Sequence, residues 1–174
     1  MEQNVIAVIW DFDKTLVDGY MQTPIFDYYD VDEAEFWREV RELEDKYKEM
    51  QIKVNKDTIY LNHMLTCVEQ GIFEGLNNKK LFEWGSKLKF YKGIPEIFRI
   101  LKDRIENNAE YKKFNITLEH YIVSTGLAEM IRGSSIMKYV DGVWGCEFIE
   151  THASILKNIK SLIQTLKKQT KLSR

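Results

Sequence analysis

Two periods of hydrophobic and polar positions alternate along this chain. Val5-Ile6-Ala7-Val8-Ile9-Trp10 is an unbroken β-favouring run between polar residues, the pattern of a strand buried on both faces in a parallel sheet. From Asp30 the period changes. Phe36, Val40, Leu43, Tyr47 and Met50 follow at spacings of four and three with acids and lysines between them, which predicts an amphipathic helix. Asp30, Asp32, Glu33 and Glu35 read as its N-cap and first turn, where acids oppose the helix dipole. A second helix is predicted through Ile59, His63, Met64, Cys67 and Val68 as far as Gly71, and a third from Asn77-Asn78 carrying Leu81, Phe82 and Leu88.

Tyr91-Lys92-Gly93 then punctuates the chain, and Pro95 falls near the first turn of a helix with Ile94, Ile97, Phe98, Leu101 and Ile105 on its apolar face and Asn107-Asn108 as its stop. Ile116–Val123 reads as a second buried strand ending at Ser124-Thr125-Gly126. A short helix carries Leu127, Met130 and Ile131, and residues 143–148 form a third candidate strand. The plan is α/β, with residues 20–90 as a helical stretch between two parts of one core, 1–19 and 91–174. In the last 24 residues Ile155, Leu156, Ile159, Leu162, Ile163 and Leu166 share a helical face, with lysines largely off it. A core-packing helix with a solvated basic face is the plain expectation, and docking on an anionic membrane surface or a partner the other.

At 174 residues the chain suits one domain, or one domain with an insertion. Its 30% charged and 44% hydrophobic residues and 2 prolines exclude the disordered and collagenous classes. A net charge of −2 gives no reason to expect nucleic acid as a partner. The charge is uneven, since residues 151–174 carry six basic residues and no acid. The longest apolar run is six residues where a membrane span needs roughly 20. Met1–Asn4 offers no basic leader, so the expected compartment is the cytoplasm. Cys67 and Cys146 form no CxxC pair and read as small core residues in a reducing setting. His63, His120 and His152 share no ligand spacing and read as structural or solvated.

Chemistry concentrates in Trp10-Asp11-Phe12-Asp13-Lys14-Thr15-Leu16. Asp11 directly follows the first strand, and in open parallel sheets ligands bind at the carboxyl ends of strands. Alternation aims Asp11 and Asp13 the same way if the chain stays extended, crowding two carboxylates that a hard cation such as Mg²⁺ would relieve. One could attack phosphorus while the other protonates the leaving oxygen and then activates water. By spacing alone, the pair fits equally well as turn acids at a strand end.

More of the chain agrees with a site. Asp11-Phe12-Asp13-Lys14-Thr15-Leu16 after an apolar strand resembles the first motif, DxDxT, of the haloacid dehalogenase-like (HAD) hydrolase superfamily, and Ile122-Val123-Ser124-Thr125-Gly126 is similar to its second. Phe90-Tyr91-Lys92-Gly93-Ile94-Pro95-Glu96 resembles the hinge that follows a type 1 helical cap, and residues 139–148 resemble the corresponding stretch of phosphoserine-phosphatase-like members. The resemblance covers roughly residues 5–150. It implies a HAD-like Rossmannoid parallel sheet flanked by helices, with a helical cap at 20–90 inserted after the first strand. It also implies a Mg²⁺-dependent phosphatase acting on a small phosphorylated substrate. Asp11 would be nucleophile and metal ligand. Asp13 would be general acid/base and, through its backbone carbonyl, a second metal ligand, and Thr15 would support the loop. Ser124, with the backbone of Thr125 and Gly126, would hold the phosphoryl group. The second aspartate favours the phosphatase branch over the dehalogenase branch.

The superfamily's third motif is a basic residue, with Lys157 and Lys160 the nearest candidates here. Its fourth is an acidic pair after a later strand, and no Asp or Glu follows Glu150 in this sequence. In that superfamily the strand before the fourth motif lies beside the first strand. Its absence predicts that residues 5–10 form a sheet edge, covered by the tail helix or by self-association. The alternative function is a truncated or catalytically weakened HAD-like domain that binds a phosphorylated ligand or a protein partner. Phe26, Tyr28, Tyr29, Phe36 and Trp37 read either as cap core or as a substrate pocket.

Overall fold

Residues Asn4–Trp10, rich in Val and Ile, form the strand β1. Residues 4–150 and 156–160 are described by the structure, a computed structural model, with backbone only for 157–160. After β1 come four helices: α1 (Thr23–Tyr29), α2 (Glu33–Glu49), α3 (Ile59–Glu69) and α4 (Asn78–Gly85). Then follow α5 (Glu96–Glu106), α6 (Ala109–Lys112), β2 (Ile116–Leu127), α7 (Ala128–Arg132), a 3₁₀ turn at Met137–Tyr139, β3 (Gly142–Glu150) and β4 (Leu156–Lys160). The architecture is α/β. β1, β2 and β3 pair in parallel with helices around them, and β4 adds antiparallel to β3, giving the order β1-β2-β3-β4.

The capping signals at Asp32 and Asn77 act where the sequence put them, whereas Asp30, read as part of the start of α2, is the left-handed C-cap of α1. The Asp32 carboxylate accepts from the Ala34 and Glu35 N–H groups at 2.8 and 3.0 Å, closing the start of α2, and the Asn77 side chain accepts from Lys80 N–H at 2.9 Å at the start of α4. One continuous apolar core runs from the sheet into the helices and includes Phe12, Leu16, Phe26, Phe36, Met64, Phe73 and Ile122. Two glycines set how closely α4 meets α7. A Cβ on Gly133 would lie 1.7 Å from the Phe82 carbonyl oxygen, and one on Gly85 2.2 Å from that of Met130. This backbone-to-backbone approach fixes the helical stretch against the sheet, and no other residue type leaves the room for it.

Two expectations are overturned. β1 is not buried on both faces: Val5, Ile6 and Ile9 are exposed, Ile9 to 67%. The cause is topological, because β2 is the only strand beside it among the described residues, and the predicted sheet edge is what the fold contains. The helix expected from Ile155 onward is, over Leu156–Lys160, the strand β4. β3 offers a free edge there, and the register sets Lys160 opposite Glu147 and Ile159 opposite Phe148. Ladder hydrogen bonds along that edge outweigh a 3.6-residue apolar period in so short a segment. The rest of the predicted tail helix, and His152, lie outside the described residues. Smaller differences are that Phe82 is exposed on α4 and Leu88 lies beyond the end of that helix.

Candidate active site

The carboxyl end of β1 runs directly into a tightly hydrogen-bonded loop. Phe12 is fully buried and its carbonyl oxygen accepts from the Leu16 and Val17 N–H groups at 2.9 and 3.1 Å, so the chain folds back at once. Lys14 takes a left-handed conformation, φ 58°, and its N–H reaches the Gly19 carbonyl at 3.0 Å. The loop is tied to residues 89–91 by Asp18 N–H to Lys89 O at 2.9 Å and Tyr91 N–H to Leu16 O at 3.0 Å. With Phe12 and Leu16 anchored inside, Asp11 is left exposed and Asp13 half-buried.

Thr15 Oγ1 donates to Asp11 Oδ2 at 2.8 Å, orienting that carboxylate. The Met21 N–H donates to Asp13 Oδ1 at 2.8 Å. The Asp13 carboxyl is pushed up to about 6, first by burial and further by the Asp11 charge, against the lowering effects of the Met21 bond and of Lys14. The Asp13 carboxyl thus senses the Asp11 charge, although the chain does not stay extended past Phe12 as strand alternation would require. Lys14 donates to the Tyr20 hydroxyl at 2.8 Å, a bond that raises the ammonium's own pKa.

Trp10 pairs in register with Ile122, so β2 delivers Ser124 to the same end of the sheet. The β2–β3 register shifts between Val123 and Leu127, and this irregularity contains Ser124, Thr125 and Gly126. Ser124 is buried and its Oγ accepts from the Gly126 N–H at 3.0 Å, while Thr125 is exposed. Leu127 N–H is 3.0 Å from Met21 Sδ, and a Cβ on Gly126 would fall 2.3 Å from Met21 Cε. Met21 therefore touches both halves, Asp13 through its backbone and the Gly126–Leu127 segment through its thioether.

Residues that carry no motif complete the surroundings. Tyr60, on α3, places its hydroxyl 3.4 Å from the Thr125 carbonyl, and burial together with the Asp13 charge holds its ionisation well above the ordinary range. Gln22 is buried beside it, with no hydrogen-bond partner for its Oε1. The only signal for Met21 and Gln22 in the sequence was their place just beyond Gly19-Tyr20, where the loop returns. Tyr60 gave none. Among the five aromatics read as core or pocket, Phe26 and Phe36 are core, Tyr28 and Tyr29 pack against Trp84, and Trp37 alone faces Tyr60.

The other candidate groups are structural. Burial and the Glu39 charge raise the Cys67 thiol to about 11, away from nucleophilic use, and His63 Nε2 is engaged by Glu39 at 2.7 Å. Among the described residues no three His, Cys, Asp or Glu side chains gather as a metal cluster, and no helix is long and apolar enough to cross a membrane.

No family model matches the chain. It is 45% identical over 151 residues to an uncharacterized protein of Borreliella burgdorferi, a match covering 86% of this chain, and the chain spans about half, 52%, of that relative. Three solved structures superpose on nearly the whole chain. A phosphoserine phosphatase carrying a phospho-aspartyl intermediate analogue gives a TM-score of 0.58 at 15% identity, over 98% of this chain and 73% of its own. A phosphoserine phosphohydrolase-like protein of Francisella tularensis gives 0.56 at 18%, over 98% and 74%. The chain has a HAD-like, phosphoserine-phosphatase-like fold. A HAD-family hydrolase of Salmonella enterica serovar Typhi agrees, with a TM-score of 0.58 at 14% identity over 98% of this chain and 53% of its own. Within this HAD-like fold Asp11, Asp13 and Thr15 follow the first strand, and Ser124–Gly126 lie near the carboxyl end of the second.

Proposed function

We propose that the protein is a phosphomonoester hydrolase that works through an aspartyl-phosphate on Asp11, within a core of 1–19 and 91–174 and a cap of 20–90. The observation that carries this reading is the asymmetry of the two carboxylates. Asp11 is exposed and oriented by Thr15, whereas Asp13 is held by Met21 and tuned to about 6. A nucleophile must be ionised, and a general acid must keep a proton near neutral pH.

In the first step Asp11 Oδ1 bonds to phosphorus, the bond from phosphorus to the ester oxygen breaks, and Asp13 gives its proton to the departing oxygen. In the second Asp13 takes a proton from water as the water oxygen bonds to phosphorus. The Asp11–phosphorus bond breaks, releasing inorganic phosphate and restoring the carboxylate. Ser124 would hold the phosphoryl oxygens with the backbone of Thr125 and Gly126. The Ser124 hydroxyl can donate its own proton to phosphate while its Oγ accepts from the Gly126 N–H, so only that N–H would have to leave the bond to reach phosphate.

The donor set fits Mg²⁺ in its sparing mode of binding. An exposed Asp11 carboxylate whose charge is felt at Asp13 suits an ion that keeps several waters and takes one or two carboxylates plus phosphate. Asp11 would hold it through its carboxylate and Asp13 through its backbone carbonyl, and bound there it would neutralise charge on the phosphoryl oxygens.

The test is hydrolysis of 4-nitrophenyl phosphate with and without Mg²⁺, beside Asp11→Asn. Turnover that needs both the metal and Asp11 supports the proposal. Release at the Asp11→Asn background would sink it and leave a phosphate-binding or partner-binding domain.

A further inference from the structure

The residues Ser124, Thr125 and Gly126 leave the regular ladder, because the β2–β3 register shifts between Val123 and Leu127. Buried backbone groups released there have to be satisfied from outside the sheet. The Gly126 N–H goes to Ser124 Oγ at 3.0 Å, the Thr125 carbonyl accepts from the Tyr60 hydroxyl at 3.4 Å, and the Leu127 N–H goes to Met21 Sδ at 3.0 Å. Two of these three partners, Tyr60 and Met21, come from residues 20–90, far from the segment in sequence.

Met21 has the larger share. Its side chain is 0% exposed, and its Cε and Sδ occupy the space that a Cβ on Gly126 would take, at 2.3 and 2.7 Å. Only glycine leaves that room, so the thioether lies directly beneath the Gly126–Leu127 backbone. Its own N–H meanwhile donates to Asp13 Oδ1 at 2.8 Å. One residue therefore joins the proposed general acid to the segment proposed to hold phosphate. Tyr60 adds direction: in a trans peptide the Thr125 carbonyl and the Gly126 N–H point opposite ways, so a carbonyl turned to Tyr60 turns that N–H away from it.

We infer that Met21 is a positioning residue for the phosphoryl site, its thioether holding Gly126–Leu127 while its N–H holds Asp13. The inference rests on the phosphatase reading and gives a role to a residue outside both motifs. Sulfur is the atom that matters, because an apolar side chain of the same size has no acceptor to offer Leu127. A buried N–H without an acceptor is costly, so loss of the sulfur should let the Gly126–Leu127 backbone turn toward another partner.

The test is Met21→Leu, a swap that keeps apolar volume and the N–H on Asp13 and removes the sulfur. Inorganic phosphate binding with Mg²⁺ present is measured by calorimetric titration, beside KM and kcat for 4-nitrophenyl phosphate and the midpoint of urea unfolding. Phosphate affinity should fall about tenfold and KM rise to match, the effect of one displaced hydrogen bond. Norleucine in place of methionine puts a methylene where the sulfur was. It should cause the same loss in the wild-type sequence and no further loss in Met21→Leu, and it carries the test if Met21→Leu does not fold. Phosphate affinity within about twofold of wild type, whatever happens to the urea midpoint, overturns the inference and leaves Met21 a core side chain. A loss in Met21→Leu that norleucine does not share points to shape rather than sulfur and overturns it as well. If the wild-type chain binds phosphate but hydrolyses no ester, the phosphatase reading fails and the same titrations still decide Met21. If it binds no phosphate, both fall.

Discussion

The Met21 N–H and Asp13 Oδ1 are joined at 2.8 Å, and this single bond ties the entry to α1 to the carboxyl group proposed as general acid. Its lowering effect is outweighed by burial and by Asp11, so Asp13 stays near 6 against an ordinary 3.8. The folded protein then holds a proton that the unfolded chain releases, and stability falls as pH rises from about 4 to 6. The loss at pH 7 is on the order of 3 kcal/mol. Asp13→Asn keeps an acceptor for Met21 and removes the titration. With a chelator present it should raise the unfolding midpoint at pH 7 and change it little at pH 4. Equal shifts at both pH values would show that ionisation of Asp13 is not the cause.

Thr15 acts on the proposed nucleophile through one hydrogen bond to Asp11 Oδ2. Thr15→Val keeps the shape and removes the donor, and should lower kcat about tenfold, the loss expected when one polar contact orients a reacting group. Thr15→Ser should restore most of it. A fall in Thr15→Val that the serine variant shares would point to the methyl group and the loop backbone instead.

How much of this was legible beforehand follows from how local each signal was. The Asp32 and Asn77 caps, the aspartates after β1 and the Ser124 segment are written in contiguous residues, and all fall where the sequence set them. The partners of Asp13 are not contiguous. Tyr60 reaches the site from α3, and only packing of that helix against the core brings it to Thr125. The residues of β4 carry a helical apolar pattern that the free edge of β3 overrides, an outcome no local window contains. The exposed faces of β1 were misread because a continuous apolar run says nothing of how many neighbours the strand will have.

Gly133 and Gly126 should answer differently to the same methyl group. At Gly133 the added carbon meets the Phe82 carbonyl of the backbone, which cannot yield without moving α4. At Gly126 it meets the far end of Met21, a flexible side chain. Gly133→Ala should cost about 1–3 kcal/mol in urea unfolding, and Gly126→Ala clearly less. Comparable costs would mean that Met21 is held as rigidly as a main chain.

His120 is 1% exposed and satisfies two buried groups at once. Trp10 Nε1–H donates to its Nδ1 at 3.1 Å, which leaves the proton on Nε2 to donate to the Phe98 carbonyl at 2.9 Å. The two partners therefore fix the neutral tautomer, and Trp10 is the residue before Asp11. His120→Leu strands an indole N–H and a carbonyl, each at about 1–3 kcal/mol, and should cost several kcal/mol in denaturant. Nitrogen-15 NMR of the ring should show Nε2 protonated at neutral pH. A proton on Nδ1 would overturn the assignment.

β1 contains no charged residue between Asn4 and Trp10, and its outer edge meets no other strand among the described residues. Unpaired backbone groups flanked by Val5, Ile6 and Ile9 form the kind of edge that recruits another strand, and a lysine there is the usual guard. Ile9 is two-thirds exposed, so Ile9→Lys gives up little burial and should change stability by less than about 0.5 kcal/mol. Its effect should appear in association. Light scattering across a concentration series should show the wild-type chain growing in mean mass and the variant growing less. Identical curves would mean that the edge is already covered, and pairing through β1 would then have no part in how copies of this chain meet.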